Sequence, residues 1–193
     1  MDLNLDNLLE IVQVQRHDFL NHLQVISGLL QLNKVERVRE YISQVSMEIA
    51  RSSKTSQVKI PAVTLALLTC LNEAAKCQID IELTVNSSFT ECRVPGIVAG
   101  EAIEHSVGCA LEVMAPPEIT GRNLDIVLGE KDKKYICRLL FPEPPQINLN
   151  QLEARLALIG ELLSPHGGRV NLAITTSGIE IFLSFPRQDA KNG

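Results

Sequence analysis

LDNLLEIVQVQRHDFLNHLQVISGLLQL, residues 5–32, decides how this chain begins to fold. The stretch holds no proline, and its lone glycine, Gly28, comes near the end. Apolar residues recur at Leu5, Leu8, Leu9, Val12, Phe19, Leu20, Leu23, Ile26 and Leu30. At about 100° per residue they fall within one arc of roughly 120°, the pattern of an amphipathic helix. Asn33-Lys34 makes a turn, and Val35, Val38, Ile42, Val45 and Ile49 stripe a second helix. The two form a helical hairpin. Such a hairpin cannot close a core alone, but a second copy can, as a four-helix bundle formed by a homodimer. Packing against the rest of the chain is the alternative. A stripe running the length of a helix about 40 Å long favours the dimer.

Beyond the hairpin the pattern changes. RSSKTSQVK, residues 51–59, is polar and reads as a linker, with Pro61 placed to start a helix over residues 61–76. Residues 79–85, IDIELTV, alternate like a strand. A helix over 97–114 ends at Pro116-Pro117. NLDIVLG (123–129) and KYICRLLF (134–141) flank a turn at 130–133. A helix over 149–163 precedes a closing hairpin, RVNLAITT (169–176) and IEIFLSFP (179–186), around Ser177-Gly178. The predicted fold class is α+β: a helical hairpin over residues 1–54, then an α/β sandwich over 60–188 with helices on one face of a mixed sheet.

Bulk properties narrow the function. Of 193 residues, 45% are apolar and 21% charged, a globular balance that argues against disorder. A net charge of −5 gives no basic face for nucleic acid. The acidic start, MDLNLDNLLEIVQ, lacks signal-peptide architecture, and the most apolar stretch, residues 63–71, is far short of the roughly 20 residues of a membrane span. The five cysteines, Cys70, Cys77, Cys92, Cys109 and Cys137, are odd in number and form no CxxC pair, the usage of buried thiols in a reducing compartment. The expectation is a soluble, cytoplasmic protein.

The chemistry lies in RHDFLNHLQVISGLLQL, residues 16–32. His17 falls roughly 120–130° from the centre of the apolar arc and faces solvent, with Asn21 and Gln24 beside it. An exposed imidazole is mostly neutral at pH 7 and offers one nitrogen as a nucleophile. Phosphoryl transfer requires such a nucleophile, free to align with a phosphorus atom. Arg16 and Asp18 flank it, and the carboxylate can orient the ring or manage its proton. Helical position alone does not separate this reading from an ordinary surface histidine.

The motif separates them. Arg16, His17, Asp18, Phe19, Asn21, Leu23 and Gln24 match a pattern, approximately Arg-His-Asp-aromatic-x-Asn-x-Leu-Gln, that resembles the phosphoacceptor helix of the sporulation initiation phosphotransferase B family and of the sensor kinases sharing its dimerisation domain. His22 stands at a variable position and reads as a surface residue. The remainder is similar to the ATP-binding domain of histidine kinases, in order of elements and in two stretches. These are GCALEVM (108–114) and residues 154–186, with HGGRVNL and the closing hairpin. The resemblance implies that His17 is the phosphoacceptor and that Arg16, Asp18 and Asn21 complete its site. It implies response-regulator receiver domains as partners, with Mg2+ held by the receiver and no cofactor in this chain. Sporulation initiation as the setting comes from the resemblance alone.

The departures from the kinase pattern matter more. Where the kinases hold magnesium with an asparagine, this chain has Cys109, a poor ligand for a hard cation. No glycine occurs between Gly129 and Gly160, where the kinases carry a glycine turn and lid. FPEPPQ (141–146) stands there instead, and proline removes the backbone donors that cradle phosphates. Gly167-Gly168 reads as a helix C-cap. The expected protein is therefore a phosphorelay phosphotransferase without autokinase activity. The alternatives are a soluble histidine kinase with a divergent ATP site and a non-catalytic binding module. His105 beside Glu101 and Glu104 reads as commonplace rather than a metal site, and His166 as structural. Lys34, Arg37, Arg39 and Arg51 either guide an acidic receiver surface toward the bundle or, the preferred reading because mixed charges interleave with them, solvate an exposed face.

Overall fold

The computed structural model describes residues 5–116, 119, 121–144 and 147–188, and all their side chains but those of residues 5–8, 10, 11, 48, 51 and 52. The side chains of the expected stripe positions Leu5 and Leu8 and of Arg51, and residues Pro117, Pro145 and Gln146, lie outside what the structure describes. The chain divides into two compact units, Met1–Ser53 and Lys54–Gly193.

The first unit is the hairpin, α1 (Leu5–Gln31) and α2 (Val35–Ser53). Asn33 turns the chain at φ 54°, a left-handed conformation that asparagine tolerates, and the Lys34 amide donates to the Leu29 carbonyl at 2.9 Å. Val38 is buried, and His22, Ile26, Leu29, Tyr41 and Val45 are half-buried. Leu9, Val12, Phe19, Leu20, Leu23 and Leu30 of α1 stay exposed, as do Val35, Ile42 and Ile49 of α2.

In the second unit, α3 (Pro61–Lys76), β1 (Asp80–Val85), α4 (Gly96–Met114), β2 (Asn123–Lys131), β3 (Lys134–Phe141), α5 (Leu149–Leu163), β4 (Arg169–Thr175) and β5 (Gly178–Pro186) follow the predicted order. The sheet runs β1-β2-β3-β5-β4; β1 and β2 are parallel and the other pairs antiparallel. Burial alternates with period two. Leu124, Ile126 and Leu128 of β2, Tyr135, Cys137, Leu139 and Phe141 of β3, and Ile179, Ile181, Leu183 and Phe185 of β5 enter the core. The β2–β3 turn places Asp132 and Lys133 at φ 51° and 59°, the left-handed pair of a two-residue hairpin. Helix α4 approaches α3 so closely that a Cβ on Gly100 would lie 2.8 Å from the Ala62 carbonyl oxygen.

The linker reading of residues 51–59 is corrected. Helix α2 runs on to Ser53, and Lys54–Gln57 forms a 3-10 turn belonging to the second unit. Thr55 and Val58 are buried, the Lys54 ammonium donates to the Leu83 carbonyl at 2.9 Å, and the Lys59 amide donates to Ser88 O at 2.8 Å. Polar composition hid this, because the lysine stem and two small side chains are enough to dock a short segment.

Candidate phosphoacceptor site

His17 lies on α1, well away from the end of the helix, with three quarters of its side chain exposed (74%). A long uninterrupted helix fixes its backbone, and side chains one turn apart face each other. Asn21, four residues on, brings its amide nitrogen 3.0 Å from His17 Nδ1. Asp18 sets a carboxylate oxygen 3.5 Å from the same nitrogen. Nδ1 is thus engaged from two sides, and Nε2 is the open nitrogen of the ring.

Which nitrogen carries the proton follows from the partners. With the Asn21 amide nitrogen toward Nδ1, the amide donates, Nδ1 accepts, and the proton sits on Nε2. Turning the exposed amide by half a revolution presents its oxygen, which accepts from an Nδ1–H. The Asp18 carboxylate favours that second state, because it attracts a donor and repels a lone pair. The second state is the nucleophilic one, since it leaves the Nε2 lone pair bare.

Three of the four predicted site residues, His17, Asp18 and Asn21, are therefore together. Arg16 is not with them. One residue along a helix turns the side chain by about 100°, and among the described residues no hydrogen bond or ion pair joins Arg16 to the other three. His22 departs from its reading as a surface residue: it is half-buried, and its Nδ1 lies 2.9 Å from the Tyr41 hydroxyl of α2. The two rings sit 5.8 Å apart between centroids. Its wheel position, away from the centre of the apolar arc, pointed to solvent; only the placement of Tyr41 on α2 brings it inside. Arg39 pairs with Glu36 at 3.1 Å, in keeping with a solvated face.

The second unit holds a cleft of about 200 Å³ between α4 and α5, lined by Cys109, Glu112, Asn148, Gln151 and Arg155 among others. Glu112 and Arg155 form an ion pair across it. Cys109 is buried, and burial raises its thiol pKa against the opposing pull of Arg155. Pro142 and Pro144 stand in the glycine-free segment, half-buried and buried respectively. Among the described residues no group of three His, Cys, Asp or Glu side chains converges as metal ligands, and His105 is exposed. Of the five free cysteines Cys70, Cys109 and Cys137 are buried, while Cys77 and Cys92 are half-buried and pack against the edge of the core. No helix among the described residues is long and apolar enough to cross a membrane.

Comparison with known proteins bears on each unit. Residues 1–58 match the family described as sensor kinase SpoOB-type, alpha-helical domain. Sporulation initiation phosphotransferase B of Bacillus subtilis (strain 168) is 36% identical over 64 residues, 33% of this chain and 33% of that protein, so the match spans a third of the relative's length. Among solved structures, the catalytic domain of histidine kinase ThkA superposes with a TM-score of 0.51 at 14% identity, covering 65% of this chain and 91% of that one. Acinetobacter baumannii histidine kinase AdeS gives 0.50 at 13% identity, over 90% of this chain and 98% of that one. Histidine kinase ThkA in complex with response regulator protein TrrA gives 0.55 at 13% identity, over 97% of this chain and 64% of that one. At these identities the structures establish the fold: a helical N-terminal region followed by a mixed sheet like that of histidine kinase catalytic domains.

Proposed function

We propose that the protein is a phosphorelay phosphotransferase, taking a phosphoryl group from one response regulator onto His17 and passing it to another; the match of residues 1–58 to the SpoOB-type helical domain and the likeness to sporulation initiation phosphotransferase B support the reading. The observation that carries the reading is the exposed His17 ring, held at Nδ1 by Asn21 and Asp18 with Nε2 open to solvent.

The step follows from that geometry. A receiver domain docks on the helices with its phospho-aspartate in line with His17. The Nε2 lone pair attacks phosphorus, the P–N bond forms as the P–O bond breaks, and the receiver recovers its carboxylate. The ring becomes cationic while its Nδ1 proton stays hydrogen-bonded, so the Asp18 carboxylate stabilises the charge that develops. A carboxylate of the second receiver then attacks phosphorus, the P–N bond breaks, and the neutral ring returns. Magnesium belongs, in this reading, to the acidic pocket of the receiver. Histidine kinase ThkA crystallises with a response regulator, which supports receivers as the class of partner.

A homodimer completes the site's setting, because the exposed stripe on both helices needs a second apolar surface. Sporulation initiation and the cytoplasm are the proposed setting, by likeness to the relative from Bacillus subtilis. Autokinase activity is not expected. Cys109 is a soft ligand in place of a hard one, and the Glu112–Arg155 pair occupies the cleft between α4 and α5.

The test is transfer of labelled phosphate from a phosphorylated receiver to the purified protein without ATP, beside His17→Gln. Label on the wild type and none on the variant is the expected result. Label on neither, across several receivers, would turn the reading toward a binding module.

A further inference from the structure

Arg16 interrupts the exposed apolar stripe of α1. On the helix its neighbours one turn away are Val12, Phe19 and Leu20, and Leu23 lies two turns on; all four are about half exposed, at 55%, 59%, 51% and 47%. Among the described residues nothing pairs with the guanidinium. The matching stripe of α2, Val35, Ile42 and Ile49, carries no carboxylate at its own positions. A cation at the centre of an apolar stripe is costly to enclose, since burying an unpaired charge is strongly unfavourable. Its three methylenes can lie along the apolar surface only if the head group reaches water.

We propose that Arg16 is a positioning residue in the interface between two copies of this chain, fixing the alignment in which the hairpins pair. The inference rests on the homodimer reading above. The apolar residues around Arg16 favour many alignments of two hairpins almost equally. A cation among them rejects every alignment that would seal it in, and keeps those with the guanidinium at a water-filled seam. Single polar residues within apolar helix seams set register in this way, at a cost in stability. Because His17 is the next residue, the alignment chosen by Arg16 also sets where the two phosphoacceptors stand relative to the partner's helices.

The experiment compares the full chain with Arg16→Leu and Arg16→Lys, by sedimentation equilibrium and by single-turnover transfer from a phosphorylated receiver. Leucine is a good helix former, so folding is kept, and circular dichroism verifies it. Arg16→Leu is expected to dimerise roughly tenfold or more tightly, because an apolar side chain admits the sealed alignments that the cation excludes. It is also expected to transfer at least about tenfold more slowly, a loss of about 1.4 kcal/mol in barrier terms. Arg16→Lys should restore both values toward wild type. An Arg16→Leu dimer no tighter than wild type would overturn the proposal, and so would a tighter dimer with full transfer. A wild-type chain that sediments as a monomer would instead remove the homodimer reading on which the proposal stands.

Discussion

In the proposed role, a histidine on a helix surface can carry phosphate only if one ring nitrogen is kept bare, and two neighbours of His17 bear on that. Asn21 and Asp18 converge on Nδ1, at 3.0 Å and 3.5 Å, and neither reaches across to Nε2. Asp18→Asn removes the charge that favours the Nδ1–H form and is expected to slow transfer roughly tenfold, about 1.4 kcal/mol of barrier. Asn21→Ala should slow it similarly without changing thermal stability, because the pair is exposed and such contacts add little to folding. Nitrogen-15 chemical shifts of the His17 ring check the cause: the proton should sit on Nδ1 in the wild type and redistribute in Asp18→Asn. Buried thiols make a second residue-scale case. Burial raises Cys70 strongly and pushes Cys137 up to about 12, so both stay protonated in the folded state at pH values where an unfolded thiol ionises. Their stabilising contribution is therefore complete below about pH 8.5 and declines above it, by about 1.4 kcal/mol per pH unit for each thiol. The urea midpoint should fall between pH 9 and 10.5, and the fall should be shallower in Cys137→Ala. A flat profile would contradict the burial of these groups.

At the scale of elements, each helix and strand answers to a local signal, and the exceptions have particular causes. The Tyr41 hydroxyl ties α2 to His22 of α1, so Tyr41→Phe is expected to destabilise the hairpin by about 0.5–1.5 kcal/mol, read from its helical melting curve. Gly100→Ala drives a methyl group to 2.8 Å from the Ala62 carbonyl and should cost about 1–3 kcal/mol, because backbone on both sides resists the shift. The long helices were legible because 27 residues of α1 repeat one period, and the β2–β3 hairpin because its turn is short and polar between alternating strands. Pro61 marked the start of α3. The 3-10 turn at Lys54–Gln57 was not legible, since its docking depends on Leu83 and Ser88, about 30 residues away. The site divided in the same way. His17, Asp18 and Asn21 lie within one turn and could be placed from spacing. His22 needed knowledge of which side of α1 faces Tyr41, and the Glu112–Arg155 pair joins residues 43 apart in sequence.

For the whole molecule, the question is why a kinase-like sheet accompanies the helical hairpin if, as proposed, the hairpin carries phosphate and the sheet does not serve ATP. The fold is held by its core, alternate residues of β2, β3 and β5 packed beneath α3, α4 and α5. Nucleotide binding needs something more, a flexible backbone with free amides and a hard metal ligand. At the corresponding places this chain has prolines, the buried Cys109 thiol and a cleft spanned by Glu112 and Arg155. The consequence can be read by thermal unfolding. A ligand at 100 times its dissociation constant stabilises the folded state by about 2.7 kcal/mol. In a chain of this size, each kcal/mol raises the melting temperature by about 2–4 °C. One millimolar Mg-ATP would therefore shift melting by several degrees if the dissociation constant were about 10 μM, and the expected shift is below about 1 °C. Transfer of phosphate to His17 from a receiver should proceed equally with and without that nucleotide. A shift of several degrees, accompanied by label reaching His17 from ATP, would make this chain a kinase and give Arg155 a phosphate to bind in place of Glu112.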